Sequence, residues 1–447
     1  MNVLQKALDK ITEQMTISDE QIEKIAENFR REMVKGLAGG KSSLKMLPSF
    51  ITTPAGTESG TFLALDFGGT NIRVLLVDLL QDGNFIVREQ RIKQLKDEQG
   101  QYDYLYSRVS GEELFDFIAD HIAGIAGPES AYSLGHTFSF ACAQTAINKA
   151  TLLHWGKEIN VTGVKGVDIN TLLTEALIRR GLSAVKPQAI TNDTVGTLLT
   201  AAYGDPYADI GSICGTGHNT AYLETQIPEW PPMIINMESG FFDAMETTCY
   251  DDELDRASEQ PGTMRLEKMV AGCYLGTLLR IVTRHLLPEG LFAACRQAAE
   301  EILEQQGSIS SQDISLLLGD RSTDLAEVAG WLEKKLKLTV SSQEDRLAMV
   351  KVAGVIAVRS ARLVGATYIG ILKHIDPRLE QNHTIAIDGS LYEKLPGYAK
   401  EIRRVIDGVL QEKAKQVQVR LSKDGSGVGA AIAAAIAVKR LANDGDA

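Results

Sequence analysis

The spacing of apolar and polar positions changes along the chain, and each change marks an element. From Ile17 to Gly36, Ile22, Ile25, Phe29 and Met33 recur at intervals of three and four behind Ser18 and Asp19, which predicts an amphipathic helix with a capped start. The same period predicts helices over Gly111 to Ile125 and from about Asp168 to Arg180. Elsewhere the runs are short and of strand type. Leu63–Phe67 and Ile72–Val77 flank Gly68-Gly69-Thr70-Asn71, a hairpin with polar groups at its tip. Ser212-Ile213-Cys214 and His218–Glu224 flank Gly215-Thr216-Gly217 in the same way. Tyr132–Phe140 reads as a strand, and Ala189–Thr191 as a strand leading straight into a helix that buries Val195, Leu198, Leu199 and Ala202. Two more glycine turns follow, at Asp388-Gly389-Ser390 and at Asp424-Gly425-Ser426-Gly427, the second opening an alanine-rich helix. Leu47–Phe50 and Thr53–Gly56 form an extended link ahead of the first hairpin. Strands and helices in such alternation place the chain in the α/β class.

The two hairpins lie about 150 residues apart, roughly one domain length, and read as an internal echo. Glycines at a tip let backbone N–H groups approach a phosphate, Thr70 and Asn71 add short donors, and Asp66 at the strand end can hold Mg²⁺ directly or through water. Two such hairpins in two α/β lobes could grip one polyphosphate from opposite sides. The turns at Gly389 and Gly425 could cover the nucleoside and phosphates. Asn192 and Asp193, at a strand-to-helix junction, fit both a helix cap and a catalytic carboxylate in a ligand crevice. Ser139 fits a backbone-bonded hydroxyl or a ligand donor, Lys157 a solvated turn or a ligand cation. Glu238 and Glu267 fit surface charge or site carboxylates.

The composition narrows the class. The chain has 447 residues, 44% hydrophobic and 23% charged, enough for two or three domains with sizeable cores. A net charge of −12 argues against nucleic acid or an anionic membrane as the main partner. The five cysteines lack a C-x-x-C pair, and neither they nor the seven histidines fall at metal-ligand spacing; reduced thiols and no structural zinc are expected. Met1 to Lys10 lacks the apolar core of a signal peptide and no apolar run reaches spanning length, so the cytoplasm is the expected compartment.

Several segments taken together, in order, resemble the hexokinase family over nearly the whole chain. They are Phe29–Leu37, Leu47–Phe50, the Leu63–Val77 hairpin, Thr137–Phe140, Asn192–Thr197, Gly215–Asn219, Glu238, Pro261-Gly262, Glu267-Lys268-Met269, Asp388–Tyr392 and Asp424–Gly427. The resemblance implies a two-lobed actin-like ATPase (ribonuclease H-like) fold that closes over a hexose and passes it the γ-phosphoryl of MgATP at the 6-hydroxyl, the first step of glycolysis. Glucose would be the main acceptor, with mannose and fructose behind it. It also implies a division into residues 1–60, belonging with the large domain, 61–193, the small domain, 194–421, the large domain, and 422–447, a glycine turn and helix returning toward the small domain. By match, Asp193 is the general base assisted by Lys157, and Ser139, Lys157, Asn192, Asp193, Asn219, Glu238 and Glu267 hold the sugar. Asp66, Gly68, Gly69, Thr70, Asn71 and Arg73 serve Mg²⁺ and phosphates, with Thr216, Gly389, Ser390 and Gly425 completing the nucleotide side. A monomer or homodimer is expected. Departures from the family pattern are Gly156 for a threonine, Ser239 for a tryptophan, Ala141 for a proline, His136 for a phenylalanine and Val428 for a lysine. They leave sugar preference and affinity less defined than the reaction, and keep a rival reading: a sugar-binding sensor with weak turnover.

Overall fold

The computed structural model describes residues 3–69, 71–97, 99–106, 108–155 and 159–445. Its strands, in chain order, are β1 (Leu47–Pro48), β2 (Ser59–Phe67), β3 (Asn71–Leu80), β4 (Phe85–Gln94), β5 (Ser133–Phe138), β6 (Cys142–Ala146), β7 (Lys149–Leu152), β8 (Lys186–Thr191), β9 (Ala208–Cys214), β10 (His218–Glu224), β11 (Met233–Asn236), β12 (His383–Asp388) and β13 (Val417–Leu421). The expected strands and capped helices form, and hydrogen bonding sorts the strands into two main sheets. The first runs β4-β3-β2-β5-β8 and the second β1-β11-β10-β9-β12-β13; β6 and β7 make a separate ribbon.

The echo seen in the two hairpins extends to the whole sheets. Each begins with three antiparallel strands in sequence order, β2-β3-β4 and β9-β10-β11, and each then adds two parallel strands beside the first, β5 and β8 or β12 and β13. Each fifth strand leads to a helix, Asp193–Gly204 after β8 and Gly425–Gly445 after β13. The two helices are exchanged: the one from the first half packs mainly on β9 and β10, the one from the second half on β2, β5 and β8. They touch each other through glycine, where a Cβ on Gly429 would stand 2.1 Å from the Gly196 carbonyl oxygen.

Three cores follow. One lies between the first sheet and the helices Gly111–Ile122 and Ile169–Arg179. A second, larger one surrounds the 33-residue helix Gln343–Ile375. The third is the shared layer, in which Ala64, Leu75 and Val77 of the first sheet and Ala208, Ala221 and Ile234 of the second meet the exchanged helices. At the N-terminus the helix expected from Ser18 is present, with a reciprocal Ser18–Gln21 capping box. An additional helix, Val3–Met15, precedes it and buries Leu4, Leu8, Ile11 and Met15. No described helix is long and apolar enough to cross a membrane.

Candidate active site

The tips of both hairpins, the start of the helix Asp193–Gly204 and the turns after β12 and β13 converge where the two sheets face the shared layer. On the second sheet a row of amides runs across strand ends. Asn192 caps its helix, its Oδ1 accepting from the Thr194 N–H (3.0 Å) and hydroxyl (2.7 Å). Asn219, at the start of β10, approaches it with Nδ2 at 3.5 Å and donates from the same nitrogen to Asn236 Oδ1 at 2.8 Å. Asn236, the last residue of β11, donates in turn to Glu238 Oε1 at 2.9 Å. The Glu238 backbone is left-handed, φ 52°, a conformation rare for a glutamate and characteristic of residues whose side chain must be aimed. The Glu267 carboxylate lies against the backbone of Gly217 and Gly240, where a Cβ would come within about 3 Å of it. Asp193 is the first residue of its helix, one Oδ1 accepting from the Thr194 N–H at 2.8 Å.

Glu267 sits in a short helix, Arg265–Val270, whose approach is fixed from behind. Lys268 is buried rather than a surface partner of Glu267: it donates to Asp255 Oδ1 (2.7 Å) and to the Gln260 carbonyl (2.6 Å), and Asp255 accepts from Gly262 N–H. A buried ion pair with these extra hydrogen bonds holds the 258–264 loop and the helix behind it in one place.

The surroundings of the first tip are charged where the row just described is amide. Asp66 faces Arg73 across the first hairpin, the two forming a half-buried ion pair at 2.9 Å. Arg73 also pairs with Asp424, and Ser426 Oγ donates to Asp66 Oδ2 at 2.8 Å, so the turn after β13 is tied to the first hairpin. Burial disfavours the Arg73 charge, but Asp66 and Asp424 outweigh it and hold the guanidinium charged. Asp388, at the end of β12, accepts from the Gly425 N–H, and burial pushes its carboxyl up to about 6, Asp424 adding to the effect. Gly69 and Gly389 both have φ near 120°, open to glycine alone, and at Gly389 a Cβ would stand 2.4 Å from the Cys214 carbonyl oxygen. The helix Gly272–Leu286 starts against the second tip, with Gly272 and Cys273 donating to the Gly215 and Thr216 carbonyls. Among the described residues no three His, Cys, Asp or Glu side chains form a ready metal cage. Asp66, Asp388 and Asp424 do outnumber Arg73, a donor set suited to a hydrated cation that arrives with phosphates.

Of the residues singled out in the sequence, Asn192, Asn219, Glu238 and Glu267 come together with Asp193 on one side, and Asp66 and Arg73 come together with the Gly425 turn on the other. Ser139 follows β5, is buried, and donates its N–H to the Phe67 carbonyl beside the first tip. Gly68 and Asn71 flank that tip, Thr216 lies in the second, and Ser390 opens the short helix after Gly389. Thr70, Gly156 and Lys157 lie outside the described residues. Four positions given no site role in the sequence reading complete the arrangement: Asn236, Asp388, Asp424 and Ser426. The last three were visible only as parts of glycine turns. Asn236 stands two residues before Glu238 on an otherwise apolar strand, which is the one local signal it gives.

Two family models, both described as hexokinase, match residues 7–203 and 209–436. Hexokinase-2 of Homo sapiens is 35% identical over 459 residues, covering 97% of this chain and 48% of its own length, so the chain spans about half of that relative. Hexokinase-7 of Oryza sativa subsp. japonica is 36% identical over 438 residues, with 92% of each covered. Among solved structures, hexokinase from Schistosoma mansoni complexed with glucose superposes with a TM-score of 0.84 at 33% identity, covering 97% of this chain and 98% of that one. The duplicated sheets with exchanged helices are the actin-like sugar kinase architecture. On sequence over both halves and on fold over nearly its whole length, this chain belongs to the hexokinase family.

Proposed function

We propose that the chain transfers the γ-phosphoryl of MgATP to the 6-hydroxyl of a hexose, with glucose as main acceptor and mannose and fructose as further ones. The observation that carries the reading is the juxtaposition of an amide and carboxylate row, Asn192, Asn219, Glu238 and Glu267, with Asp193 at a helix start and with the Asp66–Arg73 hairpin across the shared layer. A sugar's hydroxyls both donate and accept, so fixed amides and carboxylates suit it, and an epimer leaves buried groups unpaired. Asp193 takes the proton of the attacking 6-hydroxyl. Ser139 and Lys157 complete the hold on the sugar. On the other side Arg73, Asn71, Thr70, Thr216 and the backbone N–H groups at Gly68, Gly69, Gly389, Ser390 and Gly425 orient the phosphates, with Asp66 holding the Mg²⁺ that accompanies ATP. That ion supplies charge neutralisation on the transferring phosphoryl group.

The division at residues 60, 193 and 421 follows the same reading, with the glycine seam between the exchanged helices as the place where the lobes turn. The glucose complex of the Schistosoma relative supports glucose as the acceptor.

The test is ADP release with MgATP against glucose, mannose, fructose, N-acetylglucosamine and no sugar. Sugar-dependent turnover of at least about 1 s⁻¹, within the ordinary enzyme range, is expected with glucose. Calorimetric glucose binding without turnover would replace the kinase reading with that of a sugar sensor.

A further inference from the structure

Every hydrogen-bonding group in the amide row can be assigned a direction, because the row is anchored by partners that have only one. Thr220 N–H and Ser239 N–H can only donate, and both point at Asn219 Oδ1, at 2.7 and 3.1 Å. Asn219 Oδ1 is thereby used, and its Nδ2 is left as the donor, one N–H held by Asn236 Oδ1 at 2.8 Å and the other, with Asn192 Oδ1 only at 3.5 Å, the one a ligand can take. Thr194 N–H fixes Asn192 Oδ1 in the same way, so Asn192 also turns its Nδ2 outward. At the other end, the Glu238 carboxylate, when ionised, can only accept.

Asn236 sits between these two constraints and is 7% exposed. It must accept from Asn219 Nδ2 and donate to Glu238 Oε1, at 2.8 and 2.9 Å. A primary amide does both at once. A carboxylate cannot donate, and an aliphatic side chain can do neither.

We infer that Asn236 is a positioning residue that fixes which way the site's amides and the Glu238 carboxylate face. It thereby sets the pattern a sugar must match: hydroxyls facing Asn192 and Asn219 accept, and hydroxyls facing Glu238 donate. The inference rests on the sugar-site reading above. It extends that reading to a further residue and to a polarity of recognition.

The experiment is glucose binding by calorimetry, from pH 5.5 to 8, on the parent chain and on Asn236→Asp, Asn236→Leu and Asn236→Ser, with thermal unfolding to report folding. Calorimetry needs no turnover, so it reads Asn236 even if the kinase reading fails. Asn236→Asp puts a second carboxylate against Glu238, and two carboxylates that close share a proton. The expected result is a glucose Kd at least tenfold above the parent at pH 8, with the ratio to parent shrinking as the pH falls and a shared proton restores the donor. Taking the ratio at each pH cancels the titration of the other ionisable groups around the row: Asp193, Glu267 and the Cys142 thiol, which burial and the Glu238 charge push up to about 12. Asn236→Leu should show a loss that does not vary with pH, and Asn236→Ser, whose hydroxyl both donates and accepts, a smaller loss than Leu. The KM for MgATP, wherever turnover is present, should stay within about twofold.

A folded Asn236→Asp variant within threefold of parent at every pH overturns the inference. So do equal losses in the Leu and Ser variants, the comparison that decides if Asn236→Asp does not fold. A parent that binds glucose without turnover overturns the kinase reading and leaves this one standing. A parent that neither binds glucose nor turns over any of the four sugars overturns both.

Discussion

The two hairpins share one strand arrangement and differ in chemistry at the pairs that close their tips. In each, an antiparallel pair closes a glycine tip, by Phe67 and Ile72 in the first and by Cys214 and His218 in the second. One pair further in stand Asp66 and Arg73 in the first, Ile213 and Asn219 in the second. A carboxylate and a guanidinium at that place suit a cation and phosphates. An apolar residue and an amide suit a neutral polyol. The duplicated fold therefore supplies two corresponding tips, and the pair next to the closing pair is the place where a charged pair in one stands against an amide in the other. In the second, His218 is buried, and burial holds its imidazole down to about 4, so it stays neutral.

The largest break in this comparison should come at the position that belongs to both halves. Asp193 follows a strand of the first sheet and starts the helix that packs on the second. Asp193→Ala should lower kcat by on the order of 10²–10⁴, the scale of a positioned base, with glucose binding by calorimetry and the thermal midpoint nearly unchanged. Turnover within about threefold of the parent would remove Asp193 from that role.

Next is the seam that joins the halves. A Cβ at Gly135, in the middle of β5, would stand 1.7 Å from the Ala430 carbonyl oxygen, and backbone cannot retreat as a side chain can. Gly211 of β9 is crowded in the corresponding sense by the other exchanged helix, its nearest contacts being Leu198 Cβ and the Thr194 carbonyl at 2.7 Å. Gly135→Ala should cost on the order of 3 kcal/mol or more, at the upper end of overpacking. Gly211→Ala should cost less, since its nearest backbone atom stands at 2.7 Å rather than 1.7 Å. Thermal or urea unfolding of the two variants checks the order, and equal midpoints would mean that the seams are equally plastic.

These seams also show what could be read from the chain beforehand. Capped helices and glycine-tipped hairpins depend on residues within one turn of each other, so Ser18 with Gln21, or Gly215-Thr216-Gly217 between apolar runs, declare themselves locally. The exchange of the two helices, the Arg73–Asp424 tie across 351 positions and the burial of Lys268 depend on partners that only folding brings near. Asn236 was hidden for a different reason. Its role comes from the directions of its two neighbours' hydrogen bonds, and no spacing encodes a direction.

A smaller effect should separate the two tips. Arg73→Met removes the charge-assisted bonds of the first tip, and Asn219→Ala removes the amide of the second. Bonds of the first kind are worth about 1.5–3 kcal/mol, roughly 10- to 100-fold. Arg73→Met should raise the KM for MgATP by about that factor and the sugar KM little; Asn219→Ala should do the reverse. If either variant moved both constants equally, the tips would not be divided by chemistry as the cross-strand pairs suggest.

The smallest effect concerns the strand that leads to Ser139, where the first sheet holds a histidine with both ring nitrogens unbonded, against one in His218 of the second. His136 is fully buried in the middle of β5, and neither ring nitrogen makes a hydrogen bond within the protein. Asn170 lies near, its own Oδ1 also unbonded, but outside hydrogen-bond geometry. Burial holds the imidazole down to about 3, against an ordinary value near 6.5. The unfolded chain therefore binds a proton that the folded chain refuses between those two values. The stability linked to His136 is complete above about pH 6.5 and is lost progressively as the pH falls toward 3. His136→Phe removes both the unbonded nitrogens and the proton linkage, and the ring already has Phe138 as an edge-on neighbour at 5.5 Å. An unsatisfied buried polar group costs about 1–3 kcal/mol, and the larger phenyl ring offsets part of the gain. A net stabilisation of about 1 kcal/mol is expected at pH 7.5, and the difference from the parent should widen at pH 5. A difference that narrows on acidification would mean that the imidazole finds a partner in solution, as His218 Nδ1 does at the Ile213 carbonyl.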